Sequence, residues 1–286
     1  MAIGSTVPGY VLSGDTIINE TGTGNVNDAA NIVRVYNRPF WMTDLIGKSK
    51  EQVINIASAN HNFPYQWLID RINETGRTGQ VIVVNISGDI VSNPGAPCLY
   101  FPAYMADAVS ITVNIYAQVF GRGGDGAGTQ MGQGYAPNGG NGNHAIQTEI
   151  GSKLIINNQG VIAGGGGGGA CAWKANTGGS PVTCNGGGGG GRPYGAGGRT
   201  DGGDRPGNNT PGNPGSFTGP GTAVPYYGGP PSWLAGNGGD VGQSGTGVQH
   251  LDGNTMHGSS PGVTGYAVLG GGTQWINRGA IYGPVQ

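Results

Sequence analysis

Apolar and polar positions alternate in two rhythms over the first third of the chain. Val81-Ile-Val-Val-Asn-Ile86 is rich in β-branched residues and reads as a strand, as do the shorter runs Tyr10–Leu12, Ile17–Ile18 and Ile32–Val35. Helical spacing occurs in two places. Ser49-Lys-Glu-Gln52 has the form of a capping box, and Val53, Ile54 and Ala57 follow at turn spacing, which predicts a short helix. A second helix is predicted from Pro64, with Trp67, Leu68 and Ile72 on one side and Gly76 as its stop.

A faint repeat runs through these strands. Val84-Asn-Ile-Ser-Gly-Asp-Ile90, Val113-Asn-Ile-Tyr-Ala-Gln-Val119 and Ile156-Asn-Asn-Gln-Gly-Val-Ile162 align without gaps, and Ile276-Asn-Arg-Gly-Ala-Ile281 aligns with one residue deleted. Each copy has an apolar residue, then Asn, a short variable stretch and a second apolar position. Such units resemble rungs of a β-solenoid, in which strands stack and Asn or Gly turns the corner.

Composition changes the picture for the rest of the chain. Of 286 residues, 63 are glycine and 18 proline. The first 120 residues hold 10 glycines and the remaining 166 hold 53. This predicts two domains, residues 1–120 of ordinary globular composition and residues 121–286 built from glycine, with rungs at 154–163 and 275–283 packing back on the first. Disorder is disfavoured by 36% hydrophobic residues, 12 Tyr, 5 Trp and a net charge of −2. Collagen is excluded because glycine does not recur at every third position. With 10% charged residues and no basic excess, nucleic-acid binding is not expected. The N-terminus lacks a signal sequence and no apolar run is long enough to span a membrane, so synthesis in a cytoplasm is expected.

Runs such as Gly164–Gly169 and Gly186–Gly191 suit neither an α-helix nor an ordinary strand. Glycine can instead adopt the polyproline II helix, whose backbone groups all point outward. With no Cβ to hold them apart, several such helices can hydrogen-bond side by side. The expected fold is therefore mainly β and irregular with little helix: an N-terminal α+β domain with β-solenoid-like rungs, then a glycine-rich sandwich of packed polyglycine II helices with loops at the ends of the bundle.

Little in the chain points to chemistry. Gly121-Arg-Gly-Gly-Asp-Gly126 matches the dinucleotide pattern formally, but no helix can open at its last glycine to hold a pyrophosphate. His61, His144, His250 and His257 show no metal-ligand spacing. Asp125, Glu149, Asp201, Asp204, Asp240 and Asp252 are the only acids after residue 120, and no aromatic pattern marks them as an opposed hydrolytic pair. No enzyme activity, cofactor or metal is expected. Cys171 and Cys184 flank one loop, and in a reducing compartment they are expected as packed thiols rather than a bridge.

Several ordered segments together resemble the receptor-recognising tail-fibre tip adhesins of T-even-type bacteriophages. They are Arg38-Pro-Phe-Trp-Met42 with Ile46-Gly-Lys-Ser49, Asn60-His-Asn-Phe63 with Gln66-Trp67 and Asp70-Arg71, and Val83–Ser92. Gly121–Gly126, Ala145–Gly151 and Ile155–Gly164 follow. The resemblance implies an N-terminal domain attached to the trimeric distal protein of the long tail fibre, with one copy per fibre tip. It also implies variable loops on a polyglycine sandwich that bind an outer-membrane protein, a porin or another β-barrel, of the bacterial host. The virion location and reversible adsorption follow from the same likeness. A fibre-assembly chaperone absent from the virion is the rival reading, and an ice-binding glycine protein a third.

If the rungs mark the base of the bundle, the chain leaves it at Gly121, returns by Leu154, leaves at Gly164 and returns by Trp275. Thr129–Asn138 and Cys171–Asn185 then fall at the far tip. Receptor contacts are expected from Met131, Tyr135, Trp173, Lys174, Tyr226, Tyr227, Trp233, His250, Leu251 and Met256, with His257 beside it, because aromatic and long side chains on rigid roots dominate binding. Phe40, Trp41, Met42 and Trp67 are expected at the fibre joint. Gly121, Gly124, Gly166, Gly188 and Gly271 are expected to be structurally required.

Overall fold

The computed structural model describes residues 24–32, 51–74, 78–128, 137–174, 183–199, 211–224, 233–250 and 257–286. Its elements in chain order are α1 (Val26–Ile32), β1 (Glu51–Ile56), β2 (Asn60–Phe63), α2 (Tyr65–Glu74), β3 (Val81–Ile86), β4 (Ile90–Ser92), β5 (Leu99–Phe101), β6 (Ser110–Ile115) and β7 (Gln118–Phe120). Then come β8 (Ile146–Thr148), β9 (Leu154–Asn158) and β10 (Val161–Ala163), followed by the short strands β11 (Ala172–Lys174), β12 (Thr183–Gly186), β13 (Trp233–Leu234), β14 (Gln249–His250) and β15 (His257–Gly258). The chain closes with β16 (Val268–Leu269), β17 (Gln274–Asn277) and β18 (Ala280–Tyr282).

Three parallel sheets form a β-solenoid. One has the order β1-β3-β6-β9-β17, the second β18-β10-β7-β4-β2 and the third β16-β8-β5. Successive rungs are β1-β2, β3-β4, β5-β6-β7, β8-β9-β10 and β16-β17-β18. Alternation drives the stacking. Ile54, Val84, Val113 and Ile156 are in register and point inward, as are Ile56, Ile86 and Ile115. Burying each such side chain is worth about 1.5–3 kcal/mol. Helix α2 supplies Leu68, Ile69 and Ile72 to the same core.

The outward column carries the repeated asparagine. Asn157 Nδ2 donates to Asn114 Oδ1 (3.1 Å), Asn114 to Asn85 (2.9 Å) and Asn85 to Asn55 (2.9 Å). The repeat asparagine thus forms an amide ladder inside the strands and does not turn the corner. The corners fall at residues such as Gly88 and Gly160, where a Cβ would strike the backbone of Ser58 and of Ala117. In the last rung Trp275 pairs with Ile156 and Asn277 with Asn157, so Ile276 bulges outward, 67% exposed. The residue missing from the fourth aligned copy lies in the corner that follows, where Asn277 to Ala280 spans one position fewer than Asn157 to Val161.

Two expectations for the N-terminal third fail. The stretch after Ser49 is the first rung, not a helix: Val53 and Asn55 face out while Ile54 and Ile56 face in. Its period of two matches the neighbouring strand, and stacking on β3 outweighs the local helical spacing. Ile32 ends helix α1, capped by Asn25, whose Oδ1 accepts from the Asp28 N–H (2.9 Å), so the strand expected from Ile32 does not begin there. Tyr10–Leu12, Ile17–Ile18 and residues 33–35 lie outside the described residues.

Apart from Gly186 at the end of β12, the runs Gly164–Gly169 and Gly186–Gly191 carry neither helix nor strand, yet residues 164–170 are all buried. Their hydrogen bonds repeat every three residues. Gly165 and Gly168 donate to Asn143 and Gly140, Gly166 and Gly169 to Arg192 and Gly189, and Gly167 and Ala170 to Gln243 and Thr246. The carbonyls of the same run accept from three other segments, through Gly124 and Ala127, Gly239 and Gly236, and Gly265 and Gly262. Partners on residues 121–127 and 243–246 run parallel to it; those on 140–143, 189–192, 236–239 and 262–265 run antiparallel. A Cβ at any of Gly164–Gly169 would strike a backbone carbonyl, with Gly265, Arg122, Gly239, Gly262, Asp125 and Gly236 met in turn. Glycine is therefore demanded on every side of the run.

Gly121, Gly124, Gly166 and Gly188 are in this crowded class. Gly271 is not: nothing lies within 4 Å of its ideal Cβ. It sits in an exposed turn before β17, outside the packed runs, so a side chain fits there.

Candidate functional site

Glycine runs that alternate in direction carry the chain to and from one end of the bundle. Gly128, Arg199 and Val224 end described segments at that end, and β11, β12, β13, β14 and β15 are built there. β11 pairs antiparallel with both β12 and β15, setting Trp173 opposite Cys184 and His257. β13 pairs with β14, setting Trp233 opposite His250. Beneath them Ala172, Ala223 and Ala235 are buried, with Leu234 and Val248 packed on top. Small residues there let the strands sit close on the glycine layers.

The structure thus brings the backbones of Trp173, Lys174, Trp233, His250 and His257 together. Met131, Tyr135, Tyr226, Tyr227, Leu251 and Met256 lie outside the described residues. Cys171 is fully buried and disulfide-bonded, against the expectation of packed thiols. The antiparallel return of β11 and β12 draws the ends of the intervening chain together before any covalent link. Cys98 is a free thiol in the solenoid core, where burial pushes its pKa far up.

At the other end of the runs, a junction that the sequence did not reveal joins solenoid and glycine bundle. The Arg122 N–H donates to Ser92 Oγ (2.8 Å), its guanidinium donates to Asn62 Oδ1 (2.5 Å), and it lies 5.4 Å from the Tyr194 ring centre. Tyr194 and His61 share a hydrogen bond of 2.6 Å, and His61 stacks on Phe217 at 4.6 Å. Arg192 pairs with Asp240 (2.9 Å) and donates to the Phe217 carbonyl (2.8 Å). Tyr194 has a φ of 60°, a left-handed conformation that the surrounding contacts hold in place. The contacting partners are 25 to 156 positions apart in sequence, so no local pattern announces them.

The acids here serve structure. Asp125 Oδ1 accepts from the Ala196 N–H (2.7 Å), and Asp240 is tied to Arg192. Glu149 accepts from the Tyr100 hydroxyl (2.7 Å), and that hydrogen bond, aided by burial, pushes the phenol up to about 12. Among the described residues no cluster of His, Cys, Asp or Glu is arranged to hold a metal ion. Through Gly128, where this described segment ends, the glycine-rich pattern around Arg122 opens no helix; its backbone joins the bundle instead.

Near the first rung, Trp67 on α2 is 44% exposed and meets Phe63 edge-on, with centroids 5.9 Å apart. It borders two open grooves. One is lined by Val53, Asn55, Asp70, Arg71 and Glu74, the other by Ile56, Asn60, Phe63 and Pro64. Phe40, Trp41 and Met42 lie outside the described residues.

Comparison with known proteins agrees with this architecture. The family model for the phage tail fibre adhesin Gp38 matches residues 51–286. A receptor-recognizing protein gp38 of Salmonella phage S16 is 41% identical over 274 residues, covering 94% of this chain and 96% of that protein. A solved structure, the gp37-gp38 adhesin tip complex of the bacteriophage S16 long tail fiber, aligns with a TM-score of 0.66 at 38% identity, over 96% of this chain and 97% of that one. The family is one of receptor-recognising adhesins, and its members are proteins of the phage tail fibre. The chain belongs to the Gp38 family of phage tail fibre adhesins.

Proposed function

We propose that this adhesin sits at the distal tip of a long tail fibre and binds an outer-membrane protein of the bacterial host through the end of the bundle remote from the solenoid. The alternating direction of the glycine runs carries this reading. Every described passage away from the solenoid ends where β11–β15 lie, so the described residues that flank the five connecting segments 129–136, 175–182, 200–210, 225–232 and 251–256 share one end. Trp173, Lys174, Trp233 and His250 are the anchors, with Met131, Tyr135, Tyr226, Tyr227, Leu251 and Met256 on the connecting segments. The three-residue hydrogen-bond period supports polyglycine II helices, which have three residues per turn. A rigid root of this kind lowers the ordering cost of binding.

Residues 1–120 serve as the attachment domain for the trimeric fibre protein, one adhesin per tip, and residues 121–286 as the receptor domain. Support comes from the exposed Val53 and Trp67 on the first rung and second helix, and from the S16 relative, whose solved form is a gp37-gp38 complex. The chain is made in the host cytoplasm and acts on the virion. The experiment uses isolated adhesin–fibre complexes, so that avidity between fibres does not mask affinity. Such complexes compete with virions for adsorption to host cells and lose the effect on cells lacking the receptor. Undiminished adsorption at saturating complex contradicts the proposal.

A further inference from the structure

We infer that the open edge of the first rung accepts a parallel strand from the fibre partner, which would continue the solenoid by one rung. This rests on the fibre-docking reading above and names the surface. β1 ends its sheet. The Ile56 carbonyl accepts from Ser87 and Gly88, on the β3 side (3.0 and 3.1 Å). In a parallel pair bonding residues alternate, so Ile54 and Ile56 serve β3 while the N–H and C=O of Val53 and Asn55 face away from it. Asn55 is also the open end of the amide ladder. Its Oδ1 accepts from Asn85, and the head-to-tail order of the ladder assigns its Nδ2 to the next position.

The flanks state what should enter. Val53 is 56% exposed, in register with Val83, Thr112 and Ile155, so a branched residue belongs opposite it. An Asn, Gln, Ser or Thr belongs opposite Asn55. The adjoining groove carries Asp70 and Glu74 against Arg71, which already pairs with Glu74 (3.1 Å), and Trp67 forms its wall. Excess carboxylate beside an aromatic face suits a Lys or Arg on the entering segment. An exposed strand edge of this kind templates pairing unless something covers it.

The test uses full-length adhesin and the purified fibre partner. Val53→Pro removes a backbone donor that faces away from β3, a position at which an edge strand tolerates proline. Asn55→Asp keeps the acceptor for Asn85 and removes the free donor. Each variant should weaken docking at least tenfold, while Val263→Thr on the glycine bundle leaves it unchanged. Amide exchange at Val53 and Asn55 should be fast in the free adhesin and slow in the complex. Wild-type docking by both folded variants overturns the proposal. So does slow exchange in the free monomer, which would assign the edge to the chain's own first 50 residues, or slow exchange only on self-association. If wild-type adhesin does not bind the fibre partner at all, the fibre-docking reading fails instead.

Discussion

Replacing Gly166 with alanine adds one methyl group at the centre of the bundle. Its ideal Cβ falls 2.6 Å from the Asp240 carbonyl oxygen and still closer to that of Gly239. Ordinary C···O contacts lie near 3.3–3.6 Å, so the antiparallel segment must move by about 1 Å. That segment holds the hydrogen bonds Gly239 N–H to Gly167 O (2.7 Å) and Arg192 N–H to Gly239 O (2.9 Å). Overpacking costs about 1–3 kcal/mol, and weakening two bonds adds about 1–3 kcal/mol. The loss of unfolded-state freedom returns only about 0.4–1 kcal/mol. A net loss of about 2–5 kcal/mol corresponds to a fall in melting temperature of roughly 5–15 °C for a chain of this size. Gly271→Ala, with open space around it and no positive φ, should match wild type or gain slightly. Thermal unfolding followed by near-ultraviolet circular dichroism reads both. Equal midpoints for Gly166→Ala and Gly271→Ala would refute the packing argument.

Three further outcomes are expected. His144 Nδ1 accepts from the Tyr266 N–H (3.0 Å), and burial lowers the imidazole pKa, so the neutral ring is the native form. The unfolded chain then binds the proton more readily, and stability should fall as pH drops below about 6.5; His144→Gln should flatten that dependence in unfolding titrations. Arg122→Ala removes the guanidinium contacts to Asn62 and Tyr194, and should cost about 2–4 kcal/mol in urea unfolding while solenoid amides stay protected from exchange. Trp173→Ala should weaken receptor binding roughly tenfold or more with fibre docking intact, measured as a dissociation constant on isolated complexes.

The rungs were legible because the copies share an apolar residue in, an Asn out and a second apolar residue after a short corner, a pattern that survives in sequence. The first rung escaped because Ser49–Gln52 and Val53–Ala57 satisfy helical rules locally; only the neighbouring strand decides for β. Packing of the glycine runs could be inferred from composition, but not which run meets which. Glycine has no side chain to record its neighbour, so the partners of Gly165, Gly166 and Gly167 appear only in the hydrogen-bond pattern. The Arg122–His61–Tyr194–Phe217 junction was invisible for a different reason, since it joins distant segments through single residues. At the remote end, Trp173 follows directly on the run from Gly164, yet its pairing with His257 depended on a strand 84 residues later.

Exchanging the connecting segments tests the central claim most directly. Segments 129–136, 173–182, 200–210, 225–233 and 250–256, which include the anchors Trp173, Lys174, Trp233 and His250, would be replaced by their counterparts from the Salmonella phage S16 protein, leaving the glycine runs and solenoid untouched. Binding of the isolated chimera would then be measured to host envelopes recognised by each parent. The account predicts that specificity moves with the five segments while fibre docking stays with the scaffold. A folded chimera that keeps the original specificity would contradict it.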